Sequence, residues 1–461
     1  MSKLEPAVIV IFGVSGDLSR RKVLPAIYHL IKDNLLPDKI FIFGTSRQNL
    51  STDDLMKEVE LCVLEEEKVC DPEALKKFKD VFEIIQFDPV QPDHFADLKK
   101  RLEDIEDKEG VCLNRLYYLS IPPQVYAPVI KNLGNNGLTK SCAHGNAKIR
   151  LLVEKPFGYD LVSATELIEN TSKYFSEEQI YRIDHYLAKE TAQNILTFRK
   201  FNPLFNKTWN NHYISSIYIR ALEKLTIEGR VFFYDNVGAL RDLVQSHLLQ
   251  LLALTAMDLP DDIFSSEQNH SGRLRILESI KISHEQLEDK LIRGQYEGYQ
   301  EEVKNPGSET ETYVKLELSI DSEKWHRVPI TIETGKALTD KKTDIRVDFK
   351  GEDGQINQLT IRIQPNEGID IGLVVKRPGL DKTTQNVVMD FSYSNSFDNH
   401  GHPDAYERVL TDALMGDQSL FASSEEVLAA WKVVQQVLDF WQNQDPPLHS
   451  YEVGSSGPVI E

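Results

Sequence analysis

An α/β chain of two domains is the class this sequence predicts, and three features carry the prediction. Over residues 1–183, six short apolar runs alternate with amphipathic stretches of helical period. From residue 184 onward the pattern changes to long helices followed by a series of strands of alternating polarity. The chain's 461 residues and its 41% apolar share give each part enough material for its own core.

The six runs are 7–12, 40–44, 82–87, 116–120, 149–153 and 180–183, and each is nearly continuous in apolar, β-prone residues. That is how strands buried on both faces read, as in a parallel sheet. Helical patterns fall between them at 18–31, 52–66, 92–102, 125–133 and 161–174. A doubly wound parallel sheet is expected for residues 1–183. Strand order is not legible in one sequence; the Rossmann arrangement is the natural expectation. In the part 184–461, segments 215–221, 313–320, 328–333, 345–349, 359–363 and 387–393 read as strands separated by Gly, Pro, Asp and Asn turns. They predict an α+β domain with a large, mainly antiparallel sheet. Beyond about residue 442 the acidic, Pro- and Gly-containing tail reads as poorly ordered.

Bulk charge narrows the partners. With 72 acidic against 52 basic residues the net charge is −20, which argues against nucleic acid and anionic membrane surfaces. An anionic substrate would need a local cationic pocket. No apolar run reaches the roughly 18–20 residues that span a bilayer, and no charged-then-apolar leader opens the sequence. No membrane partner and a cytoplasmic location are therefore expected. Cys62, Cys70, Cys112 and Cys142 form no Cys-x-x-Cys pair and have no His partners at zinc spacing. They read as reduced structural thiols, and no metal is expected.

The first strand runs into Gly13-Val14-Ser15-Gly16-Asp17-Leu18. Two glycines let the backbone turn tightly toward a pyrophosphate, and the helix that follows offers free amides and the positive end of its dipole. Asp17 is expected to cap that helix, since a carboxylate beside pyrophosphate would be repelled. The second strand ends in Thr45-Ser46-Arg47-Gln48, with no acid to hold a ribose hydroxyl. A guanidinium there suits the 2′-phosphate of NADP. After the fifth strand, Glu154-Lys155-Pro156-Phe157-Gly158 would aim the Lys155 ammonium into the crevice.

Two further stretches concentrate chemistry. Asp184-His185-Tyr186-Leu187-Ala188-Lys189 follows the last strand of the sheet. If Asp184 opens a helix, His185 and Lys189 share one face and converge on an anion, a phosphate site in outline. Residues 238–250 read as a helix carrying Asp242 and His247. On an ideal α-helix those two positions project about 140° apart, lining two walls of a pocket without stacking.

Residues 182–190, Arg-Ile-Asp-His-Tyr-Leu-Ala-Lys-Glu, are similar to the Arg-Ile-Asp-His-Tyr-Leu-Gly-Lys-Glu signature of the glucose-6-phosphate dehydrogenase family, with Ala188 at the usual Gly. The glycine loop resembles the family's Gly-Ala-Ser-Gly-Asp-Leu, and residues 118–123 its Tyr-Leu-Ala-Leu-Pro-Pro. Residues 241–250 resemble its Arg-Asp-x-x-Gln-Asn-His-Leu-x-Gln helix, with Ser246 at Asn. Segments 218–223, 228–230, 234–235 and 334–338 also match, and 363–367 and 403–408 read as fold markers.

The resemblance implies oxidation of β-D-glucose 6-phosphate at C1 to 6-phosphoglucono-δ-lactone, with NADP as acceptor and NAD an alternative. It makes His247 the base, an imidazole suited to take a proton near neutrality, with Asp184 orienting it. His185, Tyr186 and Lys189 would hold the 6-phosphate. Lys155, Glu223, Asp242, Lys336 and Lys341 would surround the sugar. Gly13, Ser15, Gly16, Asp17, Leu18, Arg47, Ser120, Pro122 and Lys155 would line the cofactor. An open sheet face in the second domain would make a homodimer or a dimer of dimers. Two rivals remain at this point: a sugar oxidoreductase of the glucose-fructose oxidoreductase group, which shares Glu-Lys-Pro, and a cofactor-sensing regulator without turnover.

Overall fold

The computed structural model describes residues 4–67, 69–142, 145, 147–229, 231–352, 356–397 and 403–460. They divide into two compact units. The first comprises residues 1–158, 162–188 and 403–424, the second 159–161, 189–402 and 425–461. The chain leaves the first unit for Tyr159–Leu161, leaves it again after Ala188, and returns to it over Pro403–Ser424.

In the first unit the strands are β1 (Ala7–Phe12), β2 (Ile40–Ser46), β3 (Phe82–Gln86), β4 (Asn114–Leu119), β5 (Ile149–Val153) and β6 (Ile180–Ile183). They lie in the order β6-β5-β4-β1-β2-β3, all parallel. This is the Rossmann order, with its switch point between β1 and β4. All six residues of β1 are buried, as a central strand covered on both faces requires. Phe12 is level with Thr45 of β2 and with Leu119 of β4, so the loops after three strands begin side by side.

The returning segment adds the short antiparallel strand Phe421–Ala422 beside β6. Its helix Ala405–Met415 places Val409, Leu410 and Leu414 in the same core as β1. Burying such side chains stabilises the return by roughly 1.5–3 kcal/mol each. Polar ties fix it: His29 Nδ1 is 2.8 Å from Glu407 Oε1, and Arg182 donates to Ser424 Oγ at 2.6 Å.

The expectation of reduced thiols fails for one pair. Cys112 and Cys142 form a disulfide, their Cα atoms 5.9 Å apart, while Cys62 and Cys70 stay outside any disulfide. Cys112 leads into β4 and Cys142 into β5. Pairing of those neighbours, Arg115 opposite Ile149, brings the two approaches together, which no local spacing could reveal.

The second unit is built on β7 (Ile214–Leu222), β8 (Ile280–Lys281), β9 (Ile292–Tyr296), β10 (Tyr313–Ile320), β11 (Ile330–Gly335), β12 (Lys342–Phe349), β13 (Asn357–Gln364), β14 (Gly368–Lys376) and β15 (Thr384–Ser392). The path runs β15-β14-β13-β12-β7-β11-β10-β9, then the terminal strand Leu448–Tyr451; β8 pairs with β10 off it. Among the described strands of this sheet, the β7–β11 and β9–terminal pairs are parallel and the others antiparallel. The tail is therefore not loose. Leu448–Tyr451 extends the sheet, and Arg293 ties it down by donating to Pro446 O at 2.9 Å.

Candidate active site

At the end of β1, Gly13 has φ +84°, and a side chain there would collide with Ser120 O. Only glycine lets the two loops touch. Buried Ser19 joins them, its Oγ 3.1 Å from Gly13 O and 2.8 Å from Ser120 Oγ. Ser19 escaped the sequence reading because a lone hydroxyl in the first helical turn carries no signal.

A cavity of about 480 Å³ opens over these loops and brings together Gly13, Ser15, Gly16, Arg47, Ser120 and Pro122, with Phe87, Pro89 and Val90 as apolar walls that the sequence did not single out. A cation, a glycine turn at a helix start and apolar surfaces in one cleft fit a phosphorylated dinucleotide. Asp17 and Leu18 do not line it. Nor does Asp17 cap the helix: its carboxylate pairs with Arg21 at 2.8 Å, both side chains exposed. The helix start here is a π-helical turn, Ser19–Val23, entered at Leu18 without a side-chain cap.

The Lys155–Pro156 peptide is cis. Next to it, Tyr118 Oη donates to Glu154 Oε1 at 2.6 Å, and Tyr126 Oη donates to Glu154 O at 3.0 Å. Burial pushes the Glu154 carboxyl up to about 7, against the bond from Tyr118 and the charge of Lys155. Burial also drives the Tyr118 hydroxyl well above its usual range.

Residues 184–189 are not a helix. Asp184, 2% exposed, ends β6 and closes a turn by accepting the Tyr186 N–H at Oδ1, 2.9 Å away. The helix begins only at Glu190, with Lys189 as its extended N-cap, so His185 and Lys189 do not share a helix face. A short side-chain acceptor at 184 stabilises the turn in place of the helix. Ala188 is buried at negative φ, so the replaced glycine costs nothing in backbone conformation.

In the second unit, Leu240–Leu248 forms a π-helix that passes into the α-helix Leu249–Ala256. Its i→i+5 ladder widens the turn and brings positions five apart to nearly the same side. Asp242 and His247 are such a pair, which corrects the 140° expected of an α-helix. His247 is fully buried and Asp242 9% exposed. Among the described residues, Ser246 Oγ and Gln250 Oε1 are buried without a hydrogen-bond partner.

Lys336 and Glu223 meet in an ion pair, and Lys336 Nζ lies 5.1 Å from the centre of the Tyr234 ring. The loops are fixed by backbone bonds, Glu223 N–H to Gly335 O and Leu338 N–H to Glu223 O, both 2.9 Å. Burial, then the carboxylates of Asp242, Glu311 and Glu223, hold the Tyr234 hydroxyl well above its usual range. Tyr234 therefore stands among three of the expected sugar residues. Lys341 is exposed ahead of β12. Ala337, in the same loop as Lys336, has a left-handed backbone, φ +55°. Arg230, part of one matching segment, lies outside the described residues.

Comparison with known proteins decides the family. Residues 10–194 match the model of the glucose-6-phosphate dehydrogenase NAD binding domain, and residues 196–460 that of the C-terminal domain. The chain belongs to the glucose-6-phosphate dehydrogenase family. It is 37% identical to glucose-6-phosphate 1-dehydrogenase of Chlamydia pneumoniae, covering 98% of this chain and 93% of that one. It is 36% identical to glucose-6-phosphate 1-dehydrogenase 6, cytoplasmic, of Arabidopsis thaliana, covering 98% and 89%. A solved glucose-6-phosphate dehydrogenase in complex with its substrate glucose-6-phosphate superposes with a TM-score of 0.91 at 33% identity, covering 99% and 96%. The chain is thus an enzyme of an oxidoreductase family, with a dinucleotide-binding domain. Both rival readings fall away.

Proposed function

We propose that this enzyme oxidises β-D-glucose 6-phosphate at C1 to 6-phosphoglucono-δ-lactone with NADP as the preferred acceptor, the entry step of the pentose phosphate pathway. The observation that carries the reading is the near-full-length likeness to a dehydrogenase solved with glucose-6-phosphate. Arg47 in the cleft, at a strand end without an acid, supports NADP, with NAD as a weaker acceptor.

Bound NADP supplies the hydride acceptor. His247 takes the proton of the C1 hydroxyl as the hydride leaves the same carbon, and Asp184 orients the ring and offsets its positive charge. His185, Tyr186 and Lys189 hold the 6-phosphate. Glu223, Asp242, Lys336 and Lys155 fix the sugar hydroxyls, and Lys341 adds a further cationic donor to the sugar pocket. Gly13, Ser15, Gly16, Arg47, Ser120 and Pro122 hold the cofactor, with Asp17 and Leu18 contributing through the helix start alone.

A homodimer, or a dimer of dimers, formed through the large sheet suits its outer strands, where Val388 is 66% and Met389 60% exposed. A cytoplasmic location agrees with the name of the Arabidopsis relative. The deciding experiment is absorbance at 340 nm with glucose 6-phosphate and each nicotinamide, for the native chain and His247→Asn. Turnover by the native chain, with a collapsed kcat and retained sugar affinity in the variant, is expected. Full turnover by the variant would remove His247 as the base.

A further inference from the structure

The π-helix that carries Asp242 and His247 has no cap of its own. Ala239 stands at its N-cap and offers no side-chain acceptor. The first amides of a helix nonetheless need partners, and here they come from a residue 71 positions away. Leu240 N–H donates to Glu311 Oε1 at 2.9 Å, and Ala239 N–H donates to Glu311 O at 3.0 Å. Glu311 is 5% exposed. The preceding residue, Gly238, has φ +70°, and any side chain there would strike the Glu311 carboxylate. Glycine is thus required both by the backbone and by the approach of the carboxylate.

What holds Glu311 in turn is the sheet. The next residue, Thr312, donates its N–H to Gly294 O at 2.8 Å and accepts the Lys336 N–H at 3.0 Å. Its hydroxyl accepts the Tyr296 N–H at 3.0 Å and lies 2.7 Å from Tyr451 Oη. The dipeptide Glu311-Thr312 therefore grips the start of the helix with one residue and the Lys336 loop with the other. Helix register and lysine position are set against a single fixed point.

We infer that Glu311 is a positioning residue for the reaction: through its side-chain oxygen on Leu240 N–H it sets the register at which the π-helix presents Asp242 and His247 toward the groups around Lys336. The inference rests on the proposed roles of His247 and Lys336. What matters is an acceptor oxygen at the right reach, so glutamine should substitute and aspartate, shorter by one methylene, should not.

The test uses the full-length enzyme with glucose 6-phosphate and NADP, at a temperature where thermal melts show each variant folded. Glu311→Gln should keep kcat within threefold, and Glu311→Asp should lose about tenfold or more, with KM for the sugar and Kd for NADP changed less than threefold in both. Gly238→Ala, which displaces the same carboxylate from the other side, should reproduce the aspartate loss and serves if Glu311→Asp does not fold. In a His247→Asn background, Glu311→Asp should change the residual rate less than twofold, since residues acting as a unit are not additive. Native kcat in Glu311→Asp, equal losses for Gln and Asp, or full additivity with His247→Asn would overturn the inference. His247→Asn alone decides the reading beneath it, so the two failures are told apart.

Discussion

Tyr118 Oη lies 2.6 Å from Glu154 Oε1, joining the ends of β4 and β5 directly beneath the Lys155–Pro156 turn. The bond links the end of β4, whose loop lines the cavity beside Gly13, to the loop that carries Lys155. It also buries a carboxyl whose ionisation burial resists, moving it from 4.5 to about 7.

Because the folded value lies above the unfolded one, the folded state binds the proton more tightly, and stability falls as pH rises from about 4.5 to about 7. Glu154→Gln abolishes this dependence. Relative to that variant the native chain should lose of order 3 kcal/mol between pH 4.5 and pH 8. Denaturation midpoints of both proteins across that range are the measurement. A difference that stays flat with pH would show that Glu154 ionises normally.

Arg47, after β2, is exposed and lines the cavity over the glycine loop. A charge-assisted bond to a 2′-phosphate contributes roughly 1.5–3 kcal/mol. Arg47→Ala should therefore raise KM for NADP about 10- to 100-fold and leave KM for NAD within about threefold. Parallel titrations of the two nicotinamides check it, and equal weakening of both would assign Arg47 to the shared part of the cofactor.

Lys189 is the N-cap residue of the helix Glu190–Phe201 and does not rest on a helix face. Lys189→Ala should raise KM for glucose 6-phosphate about tenfold or more, the scale of one lost charged hydrogen bond, with little change in kcat. Assays with unphosphorylated glucose supply the control: an equal loss there would count against a phosphate contact.

Tyr451 Oη donates to Lys336 O at 2.9 Å from the terminal strand. Tyr451→Phe leaves that buried carbonyl short of a donor and should destabilise the chain by about 1–3 kcal/mol. Ending the chain after Asp445 should lower Tm further and raise KM for the sugar. Hydrogen exchange offers a direct check, with slow amides expected across Leu448–Tyr451; rapid exchange there would restore the picture of a loose tail.

Much of this was legible in the residues. Local sequence patterns specify local elements. The runs 7–12, 149–153 and 180–183 coincide with β1, β5 and β6, and 313–320 with β10, because an apolar run bounded by turn residues has one low-energy use. The strand Gly368–Lys376 was missed although Ile369, Ile371 and Leu373 alternate with Asp370 and Gly372. The helix at 238–250 was legible as a helix, but not as a π-helix, since an i→i+5 ladder is a backbone feature that the apolar spacing does not mark.

The sequence by itself determined the two fold classes, the glycine turn at Gly13 and the acid-free end of β2, because each depends on neighbours within a few positions. Tertiary structure alone decided the strand order, the return of Pro403–Ser424, the Cys112–Cys142 bond, the turn at Asp184 and the π-helical register of Asp242 and His247. Each of those depends on partners distant in the chain, or on competition between a local hydrogen bond and a helix, and neither leaves a periodic trace in the order of residues.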